Sequence, residues 1–68
     1  MTYTYDEKGY EINEIGYGVV VHEEVGGYAV VKVDNKIVKK FSNKKETAYS
    51  DAERYAFDIF FEKQRNSK

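Results

Sequence analysis

The sequence contains no cysteine among its 68 residues. A disulfide framework and a cysteine-based zinc site are therefore both excluded as ways to offset a small hydrophobic core. A chain of this length holds one domain, and folding removes roughly 60% of its accessible surface from solvent. We predict a single domain over residues 1–68, stabilised by packing or by a partner.

Proline is also absent, and neither a Gly/Ser linker nor an internal repeat divides the chain. No hydrophobic run approaches the roughly 18 to 20 residues that span a bilayer. The first residues lack the basic segment and the apolar stretch of a signal peptide. We therefore expect a cytoplasmic protein that has no contact with a membrane.

Charge is divided unevenly along the chain. Residues 1–25 hold six acidic side chains and one lysine, whereas residues 26–68 hold ten lysines or arginines and six acidic side chains. The formal charge is thus -5 in the first part and +4 in the second, within a net charge of -1. This division is typical either of a charged partner surface or of mixed charges that keep a surface solvated.

Tyrosine is abundant, with seven residues. Its ring and polar tip suit both a half-buried strand and a recognition surface, and one small core cannot hide so many rings. Together with the lysines of the second half, some of them form our candidate partner-binding set: Tyr3, Tyr5, Tyr17, Tyr28, Lys32, Lys39 and Lys40.

Three segments rich in β-branched residues predict an antiparallel meander. They are residues 17–23, 28–33 and 37–41, separated by turns at Val25-Gly26-Gly27 and Asp34-Asn35-Lys36. Residues 1–9 form either a flexible arm or an N-terminal hairpin, because Tyr3 and Tyr5 alternate with threonines before a turn that ends in Gly9. Valines at successive positions place apolar groups on both faces of the sheet.

From Ser50 onward the hydrophobic period changes to about 3.6, which predicts an amphipathic helix to Gln64 and a frayed tail over 65–68. Ser50 and Glu53 match a capping box, and Thr47 is a competing start one turn earlier. The predicted fold is therefore α+β: an antiparallel meander of three or four strands with one C-terminal amphipathic helix on one face. The predicted core comprises Val19, Val21, Val31, Val33, Ile37, Tyr55, Ala56, Ile59 and Phe60.

Residues with reactive side chains do not assemble into a catalytic pattern. His22 is the only histidine and is interpreted as a strand-end residue, since a metal site would need Glu23 and Glu24 beside it. Ser50 is interpreted as a helix cap rather than a nucleophile. The segment Gly16-Tyr17-Gly18 precedes no helix, so it predicts a bulge or bend where a long strand changes direction rather than a phosphate loop. We expect no catalytic residue, metal or cofactor.

The segment from Tyr28 to Ser42, followed by Asp51 to Ala56, resembles the hairpin-then-helix pattern of many short phage and mobile-element proteins. Some of these are small inhibitors of bacterial defence systems, including anti-CRISPR proteins. The resemblance implies a protein that binds a host protein or a signalling molecule stoichiometrically. It carries over no functional residue.

The leading interpretation is thus a small non-enzymatic protein that binds a protein partner through surface tyrosines and a charged patch. The small core and the apolar groups on both sheet faces also predict a homodimer. One alternative is a nucleic-acid-binding module that uses the lysine-rich hairpin of residues 32–45, against which the acidic pI of about 5.8 argues. A second alternative is a binder of a small signalling ligand.

Overall fold

The computed structural model describes residues 2–42 and 46–66. The lysine-rich hairpin was predicted to extend to residue 45, so Lys44 and Lys45 lie outside the described residues. The last two residues of the predicted tail also lie outside them.

The described chain folds into one antiparallel sheet with one helix packed on it. The elements are β1 (Thr2–Tyr5), β2 (Glu11–Gly16), β3 (Val19–Glu24), β4 (Tyr28–Val33), β5 (Lys36–Phe41) and α1 (Ala48–Asn66). The strands lie side by side in chain order, each hydrogen-bonded to the next. The α+β meander with a C-terminal helix is confirmed. The sheet has five strands, because two strands precede the predicted meander.

A tight turn joins β1 and β2, so the N-terminal segment is a hairpin and not an arm. The N–H of Asp6 donates to the carbonyl of Tyr10 at 2.9 Å, and the N–H of Gly9 donates to the carbonyl of Asp6 at 3.0 Å. Gly9 has a φ of 87°. A positive φ at the third residue of such a loop is typical of a type I turn followed by a bulge, and glycine adopts it without steric cost.

The segment Gly16-Tyr17-Gly18 is a hairpin turn between β2 and β3, so the chain does not continue there as the one long strand that was predicted. The predicted bulge is present, because the pairing of β2 with β3 shifts in register between Glu14 and Gly16. Tyr17 and Gly18 have φ values of 52° and 78°, as the two central residues of a type I′ turn require. Gly16 lies under the helix, where a Cβ would come within 2.8 Å of the Phe60 ring. The glycines thus serve the turn and a close helix contact.

Register divides the sheet into two faces. Side chains of directly paired residues point to the same side, and successive residues alternate. Asn13, Val21, Val31 and Lys39 form one cross-strand row on the side of the helix, which we call the helix face. We call the opposite side the open face. Within the described residues, no helix or strand covers it.

The helix begins earlier than the capping-box prediction states. Thr47 precedes its first residue, and the Thr47 carbonyl accepts a hydrogen bond from the N–H of Asp51 at 2.8 Å. The Thr47 hydroxyl donates to the Asp51 carboxylate at 3.2 Å. Ser50 is an exposed residue of the first helical turn, so its predicted role as the cap is wrong. The helix also extends to Asn66, two residues beyond the predicted end.

Small residues form the centre of the contact between helix and sheet. Ala48, Ala52 and Ala56 are the buried residues of α1, one turn apart. Their size allows the helix to lie close to the valines of β3 and β4. Larger helix residues, among them Ile59 and Phe60, pack around this contact and are only partly buried.

The predicted core is right at its centre and wrong at its edge. Val19, Val21, Val31 and Ala56 are buried, and the core also includes Ile15, Ala29, Val30, Ala48 and Ala52. Ile37 is 51% exposed because a bulge opposite Val31 and Lys32 shifts its register, so it pairs with Lys32 on the open face. Tyr55 is 38% exposed, since it lies on the helix flank against Phe41.

Candidate interaction surface

Two complete rows of side chains cross the open face. The first row is Thr4, Ile12, His22, Val30 and Lys40. The second row is Thr2, Glu14, Val20, Lys32 and Ile37. The pair of Glu24 and Tyr28 starts a third row at one end. Val20 and Val30 therefore lie on the two inner strands β3 and β4, and the same face carries Glu14, Lys32 and Lys40.

Val30 is 1% exposed although it lies on the open face. It belongs to no part of the cluster under the helix, so its burial comes from side chains around it on the same face. Its cross-strand neighbours are His22 and Lys40, and its neighbours along β4 are Tyr28 and Lys32. Long lysine side chains can cover apolar surface with their methylene groups while the charge stays in water.

The β4–β5 part of the open face brings together three residues of the predicted binding set. Tyr28, Lys32 and Lys40 lie on this side of the sheet, with Lys32 and Lys40 on adjacent strands in neighbouring rows. Ile37 beside Lys32 is 51% exposed, and Tyr28 is 36% exposed. An aromatic ring, an aliphatic side chain and two cations thus form one accessible patch, which we call the β4–β5 patch.

The structure does not place the rest of the predicted set on this patch. Tyr3 and Lys39 pair with residues of the helix face at opposite edges of the sheet. Tyr5 lies on the same side as Tyr3, two residues along β1. Lys39 has its Nζ 6.0 Å from the centroid of the Phe41 ring, within reach of a weak cation–π interaction. Tyr17 is in the β2–β3 turn, where its ring packs against Phe60 at 5.5 Å.

A second concave site lies between the β1–β2 turn and the β3–β4 turn, and it was not predicted. It is an open pocket of about 460 Å³. Its lining residues are Asp6, Glu7, Lys8, Tyr10, His22, Glu23, Glu24 and Val25. Within it, His22 Nε2 lies 3.0 Å from Asp6 Oδ2. His22 lies two residues before the end of β3, near the mouth of the β3–β4 hairpin, and its contact with Asp6 was not part of the strand-end interpretation.

Asp6 holds the β1–β2 turn together. Its Oδ1 accepts hydrogen bonds from the N–H groups of Lys8 and Tyr10, each at 2.9 Å. The bond from Tyr10 is the largest influence that holds the pKa of Asp6 below its ordinary value, and His22 and the Lys8 N–H act in the same direction against partial desolvation. Asp6 is thus a structural carboxylate that stays ionised near neutral pH.

The chemistry available in this pocket is limited. A histidine paired with a carboxylate can act as a general base when a nucleophile or a bound water stands next to it. The lining residues include no serine, threonine or cysteine, and the pocket is open to solvent. The pair of His22 and Asp6 is explained by the turn that it fastens to β3.

Polar side chains are buried between β2 and the helix. Asn13 is 0% exposed, and its Nδ2 donates to Glu53 Oε2 at 3.2 Å, which ties β2 to the helix. Its Oδ1 is buried without a hydrogen-bond partner among the described residues, and the Tyr49 hydroxyl is buried near the Glu11 carboxylate. Burial, and next the nearby Glu11 carboxylate, raise the pKa of Tyr49 well above its usual range. Tyr49 therefore stays neutral.

Some of these residues had a signal in the sequence and others had none. Asp6 is three residues before Gly9, the usual spacing of an aspartate that opens a type I turn. The hydrogen bonds of its carboxylate to the turn could therefore have been predicted from the sequence. Nothing in the sequence pairs Asp6 with His22, because that contact depends on the register of β2 against β3. From the sequence, Asn13 would be expected on the surface, because it lies in a polar segment. Its burial depends on α1, which packs over β2.

The described residues were also compared with the requirements of a metal site and of a membrane-spanning helix. Nowhere in residues 2–42 and 46–66 do three or more histidine or acidic side chains come together as a metal site would require. Within the same ranges there is also no helix with the length and hydrophobicity needed to cross a lipid bilayer.

Comparisons of the chain with protein-family models, with curated proteins and with solved structures return no match. Function must therefore be inferred from the chemistry of the surfaces described above.

Proposed function

We propose that this chain is a small non-enzymatic interaction protein that binds a protein partner through the β4–β5 patch. The observation that carries the proposal is the open face: α1 packs on the other side of the sheet, while Tyr28 and Ile37 stay accessible beside Lys32 and Lys40. If this face of the sheet only contacted solvent, polar residues would be expected at positions 28 and 37.

The composition of the patch suits a protein interface. Tyrosine is enriched among the residues that contribute most to binding, and exposed lysines at a rim steer an oppositely charged partner. Lys32 and Lys40 make no ion pair with a described residue. They are therefore available to acidic side chains, and the partner should present an acidic surface around an apolar centre.

The kind of partner follows from the resemblance of the hairpin-and-helix segment to short phage and mobile-element proteins. A protein of 68 residues acts on a larger one by covering a surface of it, and one bound copy blocks one site. The proposal is that the chain inhibits a host protein in this way. Expression of the chain in bacteria should then raise phage plating on a strain whose defence system contains the target.

The test is affinity capture from a bacterial lysate treated with nuclease, with the bound material washed at about half-molar salt. The tagged chain should retain a protein in stoichiometric amount. The variant Tyr28→Ser with Lys32→Glu should lose it. Lys39→Glu is the matched control, because Lys39 belongs to the same lysine-rich segment but lies on the helix face.

Each other outcome contradicts the proposal. Equal retention by the wild type, the patch variant and Lys39→Glu would place the partner elsewhere on the molecule. Recovery of nucleic acid alone, lost with Lys32→Glu and Lys40→Glu and weakening steeply with salt, would favour the nucleic-acid-binding alternative, since phosphate contacts release counterions. Variant folds are checked by circular dichroism before capture.

A further inference from the structure

The outer edge of β1 is unprotected. Among the described residues this strand pairs with β2 alone, so its other edge carries backbone groups without a strand partner. All four of its residues are exposed, with Tyr5 at 67%, and none is charged. An exposed, uncharged edge rich in residues that favour β structure is a template for adding another strand.

The opposite edge of the sheet is built differently. β5 carries Lys36, Lys39 and Lys40 in six residues, and a bulge interrupts its pairing with β4. Lysines and bulges are two common means by which proteins block pairing at a sheet edge. Strand addition is therefore expected at β1 and opposed at β5.

The hydrogen-bonding phase of β1 identifies the free backbone groups. Asp6 and Tyr10 form a hydrogen-bonded pair through the N–H of Asp6 at 2.9 Å. Such pairs alternate along an antiparallel ladder, so the backbone groups of Thr4 also point towards β2. The N–H and C=O groups of Tyr3 and Tyr5 therefore point outward, two residues apart.

We infer that β1 pairs antiparallel with β1 of a second copy, which joins two sheets into one. The register that uses both outward residues places Tyr3 opposite Tyr5 of the other copy and Thr4 on the twofold axis. Each pair of Tyr3 with Tyr5 then exchanges two backbone hydrogen bonds. A register centred on Tyr3 would use only one such pair within Thr2–Tyr5 and is less favourable.

A second copy suits this edge better than an unrelated segment does. The strand is complementary to itself, because its outward groups have the same spacing in both directions. It has no charge that would select a charged peptide or repel its own copy. The four tyrosine rings of the pair lie on one side of the joined sheet and can contact each other across the strands.

The symmetry of the pair also leaves the proposed function intact. A twofold axis through an antiparallel pair is perpendicular to the sheet, so both helices lie on one side and both open faces on the other. The β4–β5 patches are at the far ends of the joined sheet and stay accessible. Self-association and partner binding therefore use different surfaces. Because the dimer is measured with the purified chain alone, its absence would not bear on the proposed partner binding.

The decisive experiment introduces a thiol on the twofold axis. The native chain has no cysteine, so each variant contains one thiol. Residues directly opposite in a non-hydrogen-bonded pair have Cα atoms about 4.5 Å apart, within the range of a disulfide. Thr4→Cys should form a covalent dimer under mild oxidation on a non-reducing gel. Thr2→Cys and Ile37→Cys are exposed controls that the register keeps away from their own copies, and they should crosslink several-fold more slowly.

A second measurement uses charge at the same position. Sedimentation of the wild type should show a concentration-dependent dimer with a Kd on the order of tens of micromolar, as befits a short edge contact. Thr4→Lys and Thr4→Glu should each be monomeric, because like charges would face each other, and their mixture should recover the dimer.

Three results would overturn the inference. One is a wild type that stays monomeric at a concentration of about half-millimolar, well above the expected Kd. Another is a Thr4→Cys crosslinking rate no higher than that of Ile37→Cys. The third is a dimer that persists in both charged variants, which would place self-association on another surface.

Discussion

The two faces of the sheet bury valines by different means. On the helix face, Val21 and Val31 are fully buried beneath the alanines of α1. On the open face, Val30 is equally inaccessible, yet only neighbouring side chains of the same sheet cover it. A packed helix covers the valines beneath it with a whole element, whereas long side chains beside Val30, such as those of Lys32 and Lys40, can move aside for a partner. Equal burial therefore does not mean equal roles.

The largest expected effect tests this contrast directly. Val21→Ala should lower the free energy of unfolding by about 2 to 3 kcal/mol, because a cavity under a docked helix cannot collapse easily. Val30→Ala removes the same atoms from the open face, where the long side chain of the exposed Lys40 can bend over the gap, so about 1 kcal/mol is expected. Urea unfolding followed by circular dichroism measures both. Equal losses would show that the open face is as rigid as the helix face.

The next effect concerns the closeness of the helix. Gly16→Ala should destabilise the fold by about 1 to 3 kcal/mol, since its Cβ would press on the Phe60 ring within 2.8 Å. Gly9→Ala is the control, because Gly9 also has a positive φ but has no atom within 4 Å of a Cβ. Only the cost of the left-handed backbone should then remain. A smaller loss in Gly16→Ala than in Gly9→Ala would mean that α1 lies farther from β2 than described.

A smaller change in the free energy of unfolding, an increase instead of a loss, is expected when Asn13 of the helix face is replaced. Asn13→Val removes a buried amide whose Oδ1 has no partner, and the free energy of unfolding should stay equal or rise by about 1 kcal/mol. Glu53→Ala removes the partner of the Asn13 amide instead and should cost about 1 kcal/mol. Thermal unfolding of the two variants decides the point. A large loss in Asn13→Val would mean that the hydrogen bond from the Asn13 amide to Glu53 stabilises the fold by more than the burial of the amide costs.

The smallest effect is a pH dependence at the turn beside the open face. The pKa of Asp6 is lower in the folded chain than its ordinary value of 3.8, so the folded form binds the proton less readily. The contribution of Asp6 is therefore fully present above that value and is lost as the pH falls through the folded pKa. The amide signals of Lys8 and Tyr10 should move in the same acid range in NMR spectra.

The control for this titration is Asp6→Asn. It should be less stable than the wild type at neutral pH, and the difference should vanish in strong acid, where Asp6 is neutral in both states. A difference that persists at low pH would mean that the charge of Asp6 does not contribute and that only the shape of the turn does.

Much of this fold could be predicted because its signals are local. Period-2 valines and turn residues such as Asp34-Asn35 place β3, β4 and β5 correctly. The strand β2 was predicted only as half of the N-terminal hairpin alternative, because its sequence, with Asn13 and Glu14 in its middle, is polar where strands are usually apolar. Its polar residues make sense only once Asn13 faces Glu53 of the helix.

The candidate surface was less predictable, since it depends on register. A bulge in β5 moves Ile37 to the open face. No residue near Ile37 is of a type that would predict a bulge there. The predicted binding set therefore divided between two faces: Lys40 joined the patch, whereas its neighbour Lys39 did not. The alanine contact of the helix was also hidden, because larger residues such as Tyr55 and Ile59 carry the stronger hydrophobic signal but lie on its flanks.

The strand order has a consequence for the speed of folding. Each strand lies next to its neighbour in the chain, so every strand pairing closes a short turn and costs little loop entropy. The docking of α1 on β3 and β4 is the step that joins distant parts of the sequence. We expect the sheet to form as successive hairpins and the helix to dock afterwards. Substitutions in the β3–β4 hairpin should then slow folding, whereas substitutions at Ala52 or Ala56 should mainly accelerate unfolding.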